Sequence, residues 1–224
     1  KEVMITFHGE RLHGRYVLFR TRGDDWMIHR MDPPEDPDRE PMPERVEPML
    51  ARTGELPRAS DSGDEASGRG RGEWAYEIKW DGVRAIGYVD GGRLRLESRN
   101  GNDITARYPE LRELGRALGS HEAVLDGEVV AFGPDGKPRF QVLQSRMHVA
   151  SEAAQRRLAA SHPVAYVIFD LLFLDGHYLM ALRYDERRER LLELGLSGPN
   201  WQTPAHRVGD GKALLEATRA QGLE

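Results

Sequence analysis

The chain has 224 residues, no cysteine, and 32 lysines and arginines against 37 aspartates and glutamates, which gives a formal net charge of −5. This length predicts one large domain or one domain with a piece of another, and the missing cysteines exclude disulfides, thiol catalysis and Cys-based zinc sites. The mild acidity means that nucleic-acid binding would need a local basic surface, and no apolar run is long enough to span a bilayer, so a soluble, cytoplasmic protein is expected.

The first segment of the chain predicts β-structure. Val3, Ile5 and Phe7 recur with a period of two, and β-type runs follow at 16–19 and 26–31, separated by turns that contain glycine. Three such short strands cannot be stable alone, so we expect them to need a partner sheet.

Two segments of biased composition come next. Residues 33–45 are rich in proline and acidic residues, which predicts an extended linker. Residues 58–72 contain glycine, serine and charged residues, with no hydrophobic side chain larger than that of alanine. Such a segment cannot bury enough apolar surface to order itself, so a flexible loop is predicted there.

From residue 73 onward the pattern is that of a globular domain. Strands are predicted at 74–80, 84–89, 93–97, 122–132 and 164–174, and helices at 106–118, 140–148, 152–160, 184–194 and 212–220. The mixture contains a hairpin at Gly91 and Gly92 rather than strict βαβ alternation. It favours an α+β fold with antiparallel sheets flanked by helices. The charged run from Glu186 to Arg190 is predicted to be a solvated helix face.

Lys79 has the most chemically suggestive surroundings in the chain. It is one of only four lysines and lies between Ile78 and Trp80, just before the turn Asp81-Gly82 and Arg84. Burial among apolar neighbours would disfavour its charged form and release a nucleophilic amine. If Lys79 is a nucleophile, an uncharged lysine in a dry pocket is therefore expected. On residue types alone, a strand-end lysine that reaches water is the stronger interpretation.

Four motifs in order resemble those of the covalent nucleotidyltransferases, the family of DNA ligases, RNA ligases and mRNA-capping enzymes. They are Lys79-x-Asp-Gly-x-Arg84, Ser98-Arg99-Asn100-Gly101, Asp126-Gly127-Glu128 and Phe169-Asp170-Leu171-Leu172. The sequence YEIKWDGVRA around the lysine, with PMLA at 48–51, is similar to bacterial ATP-dependent DNA ligases. The resemblance implies the adenylation-domain fold of this superfamily, which is ATP-grasp-like, with a short N-terminal β segment.

The same resemblance implies a domain organisation. Residues 1–32 resemble the end of the 3′-phosphoesterase domain that precedes the ligase in end-joining enzymes of the LigD type. The linker at 33–45 would then lead to a ligase adenylation domain at 46–224, with the loop at 58–72. Gln221-Gly222-Leu223-Glu224 resembles the start of one further motif of the family, and the sequence stops before the lysines that would follow and before an OB-fold domain. Weak self-adenylation and severely impaired ligation are therefore expected of this chain alone.

Each matching residue acquires an implied role. Lys79 would attack the α-phosphate of ATP and carry AMP, which then passes to the 5′-phosphate of a nick and is displaced by the 3′-hydroxyl. Glu77 and the Ile78 backbone would meet adenine, and Phe169 would stack on it. Arg84 and Arg99 would hold ribose and phosphate oxygens, where guanidinium groups suit oxygen pairs. Glu128 would take a ribose hydroxyl or, with Glu224, a magnesium or manganese ion.

The function implied is that of a DNA ligase adenylation domain in bacterial non-homologous end joining. Its partners would be nicked or broken double-stranded DNA in the nucleoid and a DNA-end-binding repair protein, with no membrane. The first motif does not separate this function from an RNA ligase or a capping-type nucleotidyltransferase. A non-catalytic module that keeps the scaffold and binds nucleic acid or a protein partner is a further alternative.

Overall fold

The computed structural model describes residues 2–10, 12–32, 36–57, 74–147, 149 and 151–223. The loop predicted at 58–72 and the candidate metal ligand Glu224 lie outside these residues. The chain forms two compact units, Lys1–Pro41 and Met42–Glu224. Within the described part, no helix combines the length and apolarity that crossing a membrane requires.

The first unit is an antiparallel sheet of three strands, β1 (Glu2–His8), β2 (His13–Arg20) and β3 (Trp26–Arg30), in the order β1-β2-β3. These strands agree with those predicted from the sequence. The rings of Phe7 and Tyr16 pack edge to face across β1 and β2, with centroids 5.4 Å apart. Several large apolar side chains of this sheet are exposed: Val3, Met4, Trp26, Met27 and Ile28.

The second unit is built on a sheet of seven strands. They are β5 (Val83–Asp90), β6 (Arg93–Ser98), β7 (Ala123–Ala131), β8 (Val164–Leu174), β9 (His177–Tyr178), β10 (Ser197–Gly198) and β11 (Trp201–Gln202). The order is β10-β11-β8-β7-β5-β6, with β9 paired to β8. Only the β11–β8 pair is parallel among these described strands. A separate two-stranded sheet joins β4 (Ala75–Tyr76) to β12 (Arg207–Val208).

The helices are α1 (Glu113–Ala117), α2 (Phe140–Met147), α3 (Glu152–Ser161), α4 (Tyr184–Glu193) and α5 (Gly211–Ala220). Two 3-10 turns, Thr105–Arg107 and Pro109–Arg112, replace the first part of the single helix predicted at 106–118. Pro109 explains the difference, because proline pushes the residue before it out of the helical region. Tyr108 has φ −128° and ψ 64° accordingly. The α+β prediction is otherwise confirmed.

The predicted hairpin and the predicted strand at 74–80 have different outcomes. Gly91 and Gly92 connect β5 to β6 with φ of 54° and 76°, values that glycine adopts without strain. The strand at 74–80 is wrong beyond its start, because only Ala75 and Tyr76 are extended and paired. The residues that carry Lys79 are irregular.

The main sheet has two different faces. One packs against helices in a large core that includes Ala85, Leu125, Val129, Tyr166 and Ile168. The opposite face has a smaller cluster made by Val46, Ile86, Tyr88, Val124, Leu172 and Phe173. Because successive side chains of a strand point to opposite faces, Arg84 on β5 and Asp126 and Glu128 on β7 belong to this second face. We call it the site face.

Candidate active site

The segment that carries Lys79 is fixed close to the sheet at both ends. Before it, Tyr76 on β4 pairs with Arg207 on β12. After it, Gly82 lies against β7 so closely that a Cβ atom there would be 2.3 Å from the carbonyl oxygen of Val129. Only glycine allows this approach, so the Asp-Gly turn keeps the lysine segment beside β7.

Lys79 itself is exposed, so the expectation of a dry pocket is wrong. Its neighbours Ile78 and Trp80 are partly buried, and the Trp80 ring packs edge to face on Phe132 with centroids 6.0 Å apart. The irregular path of this segment buries the two neighbours in part and leaves the lysine on the solvent side. Lys79 remains near the site face, where its positive charge opposes the rise in the pKa of Glu128.

Arg84 is engaged by a buried carboxylate. Its Nε donates to Oδ1 of Asp126 at 2.6 Å and its Nη2 donates to Oδ2 at 2.8 Å. The guanidinium also lies over the ring of Phe169, 4.5 Å from the centroid. Burial raises the pKa of Asp126, an effect that the charge of Arg84 opposes. Arg84 is therefore held in one orientation by Asp126 and Phe169 together.

Glu128 is a carboxylate that is costly to ionise. Burial raises its pKa to about 7, with Asp126 and Asp81 adding to the effect and Arg84 and Lys79 opposing it. A carboxyl group in this situation is stabilised in its charged form by any further positive charge.

The described residues offer limited ligands for a metal. They contain no group of three or more His, Cys, Asp or Glu side chains that could hold an ion. Magnesium at nucleotide sites commonly uses one or two carboxylates together with substrate phosphates. The partly buried Glu128 fits such a shared site, whereas Glu224 lies outside the described residues.

The other predicted ligand residues occupy different parts of the site. Glu77 accepts a hydrogen bond from the hydroxyl of Tyr184 through Oε1 at 2.9 Å. Arg99 is exposed and follows Ser98, which pairs with Ala85. Arg99 therefore lies at the same end of the sheet as Arg84. The structure thus brings Glu77, Lys79, Arg84, Glu128 and Phe169 to one end of the site face, and backbone register places Arg99 at the same end.

Helix α4 contributes two arginines that sequence reasoning missed. Arg187 donates to both carboxylate oxygens of Asp170 at 2.8 Å, and Arg188 donates to the carbonyl oxygen of Phe169 at 3.0 Å. The predicted solvated helix face is therefore wrong for these two residues, although Glu189 and Arg190 are exposed. A signal was present, because 187 and 188 share a helical face with the buried Leu191.

Comparisons with known proteins identify the family to which the chain is similar. A family model described as "ATP dependent DNA ligase domain" matches residues 48–217. The chain is 38% identical over 223 residues to "Multifunctional non-homologous end joining DNA repair protein LigD" of Mycobacterium tuberculosis strain H37Rv, covering 100% of this chain and 26% of that protein. It is 40% identical over 150 residues to a "Probable DNA ligase" of Streptomyces avermitilis, covering 66% of this chain and 28% of that protein.

Two solved structures are similar in fold to this chain. The ligase domain from Mycobacterium tuberculosis LigD is 38% identical with a TM-score of 0.57, covering 68% of this chain and 46% of that chain. A mycobacterial DNA ligase D complexed with ATP and MES is 37% identical with the same TM-score, 0.57, and the same coverage, 68% and 46%. The chain thus spans only a minor part of the relatives it matches.

Proposed function

The chain belongs to the ATP-dependent DNA ligase family, and we propose that it is an adenylation domain in which Lys79 takes AMP from ATP and passes it to DNA. The observation that carries this proposal is the contact of Gly82 with β7, which keeps the lysine segment beside Glu128. In the reaction, the unprotonated Nζ of the lysine forms a bond to the α-phosphorus through its lone pair, the bond to the leaving pyrophosphate breaks, and the nitrogen releases a proton to solvent as the phosphoramidate forms.

The remaining site residues have complementary roles in this proposal. Glu77 accepts a hydrogen bond from the adenine base, and Phe169 stacks on it. Arg84, fixed by Asp126, and Arg99 supply donors for ribose and phosphate oxygens. Glu128 would hold a magnesium or manganese ion shared with the nucleotide phosphates, and such an ion would neutralise the charge that develops on pyrophosphate.

The names of the relatives support a proposal for the whole protein's substrate. The relative from Mycobacterium tuberculosis is named for non-homologous end joining and DNA repair. We therefore extend the proposal to the sealing of nicked or broken double-stranded DNA, with a DNA-end-binding repair protein as partner. The alanine variant of Lys79 would then abolish sealing, whereas a non-catalytic scaffold would not depend on this amine.

The test is covalent labelling of the full-length protein with ATP that carries a radioactive α-phosphate, in the presence of magnesium. After denaturation, we expect label on the wild type and on the control Lys212→Ala, an exposed lysine on α5, but not on Lys79→Ala. Peptide mapping identifies the labelled residue. Label on another residue would contradict the mechanism, and labelling by GTP in preference to ATP would favour a capping-type enzyme instead.

A further inference from the structure

Arg188 is a buried arginine at which four segments of the second unit meet. The residue is only 2% exposed. It donates to the carbonyl oxygens of Phe169 on β8, at 3.0 Å, and of Pro204, and its Nε lies 3.3 Å from Nδ1 of His206. Its Nη1 is also 3.5 Å from Oε1 of Glu77. A buried guanidinium needs this many partners, since each unpaired donor would cost free energy.

The contact with Glu77 is one of a pair made by the same helix. Tyr184 and Arg188 are four residues apart on α4, so their side chains lie on one helical face. Both approach the same carboxylate oxygen, the hydroxyl of Tyr184 at 2.9 Å and the Arg188 guanidinium at 3.5 Å. The helix therefore holds the Glu77 carboxylate through this oxygen.

The chemistry of this carboxylate defines which nucleotide group it can bind. An ionised carboxylate accepts hydrogen bonds and cannot donate them. It therefore suits the 6-amino group of adenine and gains nothing from a purine that has only hydrogen at this position. A site built to bond a polar substrate group rejects an analogue that lacks the group, because its own polar atoms are left unpaired.

We propose that Arg188 is a positioning residue for nucleotide selection: it fixes the Glu77 carboxylate and the Phe169 backbone relative to each other, and so makes the site depend on the 6-amino group. This inference rests on the proposed function. Arg188 does not touch the nucleotide. It acts through Glu77 and Phe169, the two residues that are proposed to contact the base.

Three other arginine and tyrosine positions on α4 provide matched variants. Arg187 pairs with Asp170 and supports the same strand, but it has no contact with Glu77 in the described structure. Arg190 is exposed on the same helix. The change Tyr184→Phe removes only the hydroxyl that bonds Glu77, so it tests the same carboxylate with little disturbance of packing.

The experiment compares ATP with purine riboside triphosphate, which lacks the 6-amino group, in self-adenylation of the full-length protein. The readout is the ratio of kcat/KM for the two nucleotides. We expect the wild type and Arg190→Met to favour ATP by roughly a hundredfold, as one hydrogen bond to a charged group would give. In Arg188→Met this ratio falls by about tenfold, because a Glu77 carboxylate that has lost its ion pair is less well oriented towards the 6-amino group, and in Tyr184→Phe it falls in the same direction. Arg187→Met slows both nucleotides equally and keeps the ratio.

The outcomes separate this inference from the proposed function. Equal losses with both nucleotides in Arg188→Met would overturn the positioning role and leave only a structural one. If Arg188→Met fails to fold, as judged by circular dichroism, the ratio in Tyr184→Phe decides, and an unchanged ratio there overturns the inference. A wild-type protein that incorporates neither nucleotide would overturn the proposed function, and the inference with it.

Discussion

At the scale of single residues, the ionisation of Glu128 makes the stability of the folded state depend on pH. A free glutamate ionises near pH 4.5, but burial raises the pKa of Glu128 to about 7. Between these values the folded state keeps a proton that the unfolded state has released. Stability contributed by the neutral form is therefore lost as pH rises towards 7.

The corresponding prediction concerns Glu128→Gln, whose side chain is neutral at every pH. Relative to the wild type, we expect its free energy of unfolding to improve by about 2 kcal/mol between pH 5 and pH 8. Urea denaturation of both proteins at the two pH values measures this difference. The matched control for the substitution itself is Glu193→Gln, at an exposed position on α4. A constant difference for Glu128→Gln would contradict the raised pKa.

Single residues also mark where sequence reasoning was limited. The position of Lys79 next to an Asp-Gly turn was predictable, because glycine at 82 signals an unusual backbone approach. Residue types alone favoured exposure of its side chain, whereas the mechanism implied by the motifs led to the expectation of a dry pocket. Apolar neighbours at 78 and 80 are consistent with both arrangements. Only the path of the irregular segment decides between the two.

At the scale of elements, the connection between β4 and β5 depends on the fit of Gly82 against β7. In Gly82→Ala, the added Cβ would meet the Val129 carbonyl oxygen at 2.3 Å and Cγ of Glu128 at 2.9 Å. The segment must move away from β7 and take Lys79 with it. Because a misplacement of about 1 Å can cost a hundredfold in rate, we expect self-adenylation to slow by about that factor.

The control for this prediction is Gly54→Ala, where an added Cβ meets nothing within 4 Å. Rates of label incorporation from ATP, measured for both variants in the full-length protein, provide the comparison. Wild-type rates in Gly82→Ala would show that the lysine does not need its place beside β7.

Elements with a strong local pattern were predictable, and those set by distant partners were not. The apolar run at 164–174 gives β8 with the predicted bounds. By contrast, the sequence identified Asp126 and Asp170 only as members of motifs and predicted no partner for either carboxylate. Their arginine partners lie 42 and 17 residues away in the sequence, on another strand and on a helix. No local periodicity reports such pairs, so the folded arrangement was needed to assign them.

At the scale of the whole molecule, the division into two units predicts independent folding of residues 42–224. The large core lies within this unit, and a domain that has its own core can fold alone. We expect the truncated chain to unfold in one cooperative transition, with a midpoint within about 2 °C of the main transition of the longer chain. Differential scanning calorimetry of both chains measures this, and a loss of cooperativity would contradict it.

The fixed ends of the lysine segment constrain how the proposed reaction proceeds in space. Pairing at Tyr76 and close packing at Gly82 leave little freedom for the backbone between them. Only the four-carbon stem of the lysine can change its conformation, so the amine can move the attached AMP over a short distance only. In the proposed reaction, the 5′-phosphate that accepts AMP has to reach Lys79 where the segment holds it. Under the proposed function, the choice among DNA ends would therefore lie in how an end is brought to this segment, and not in movement of Lys79.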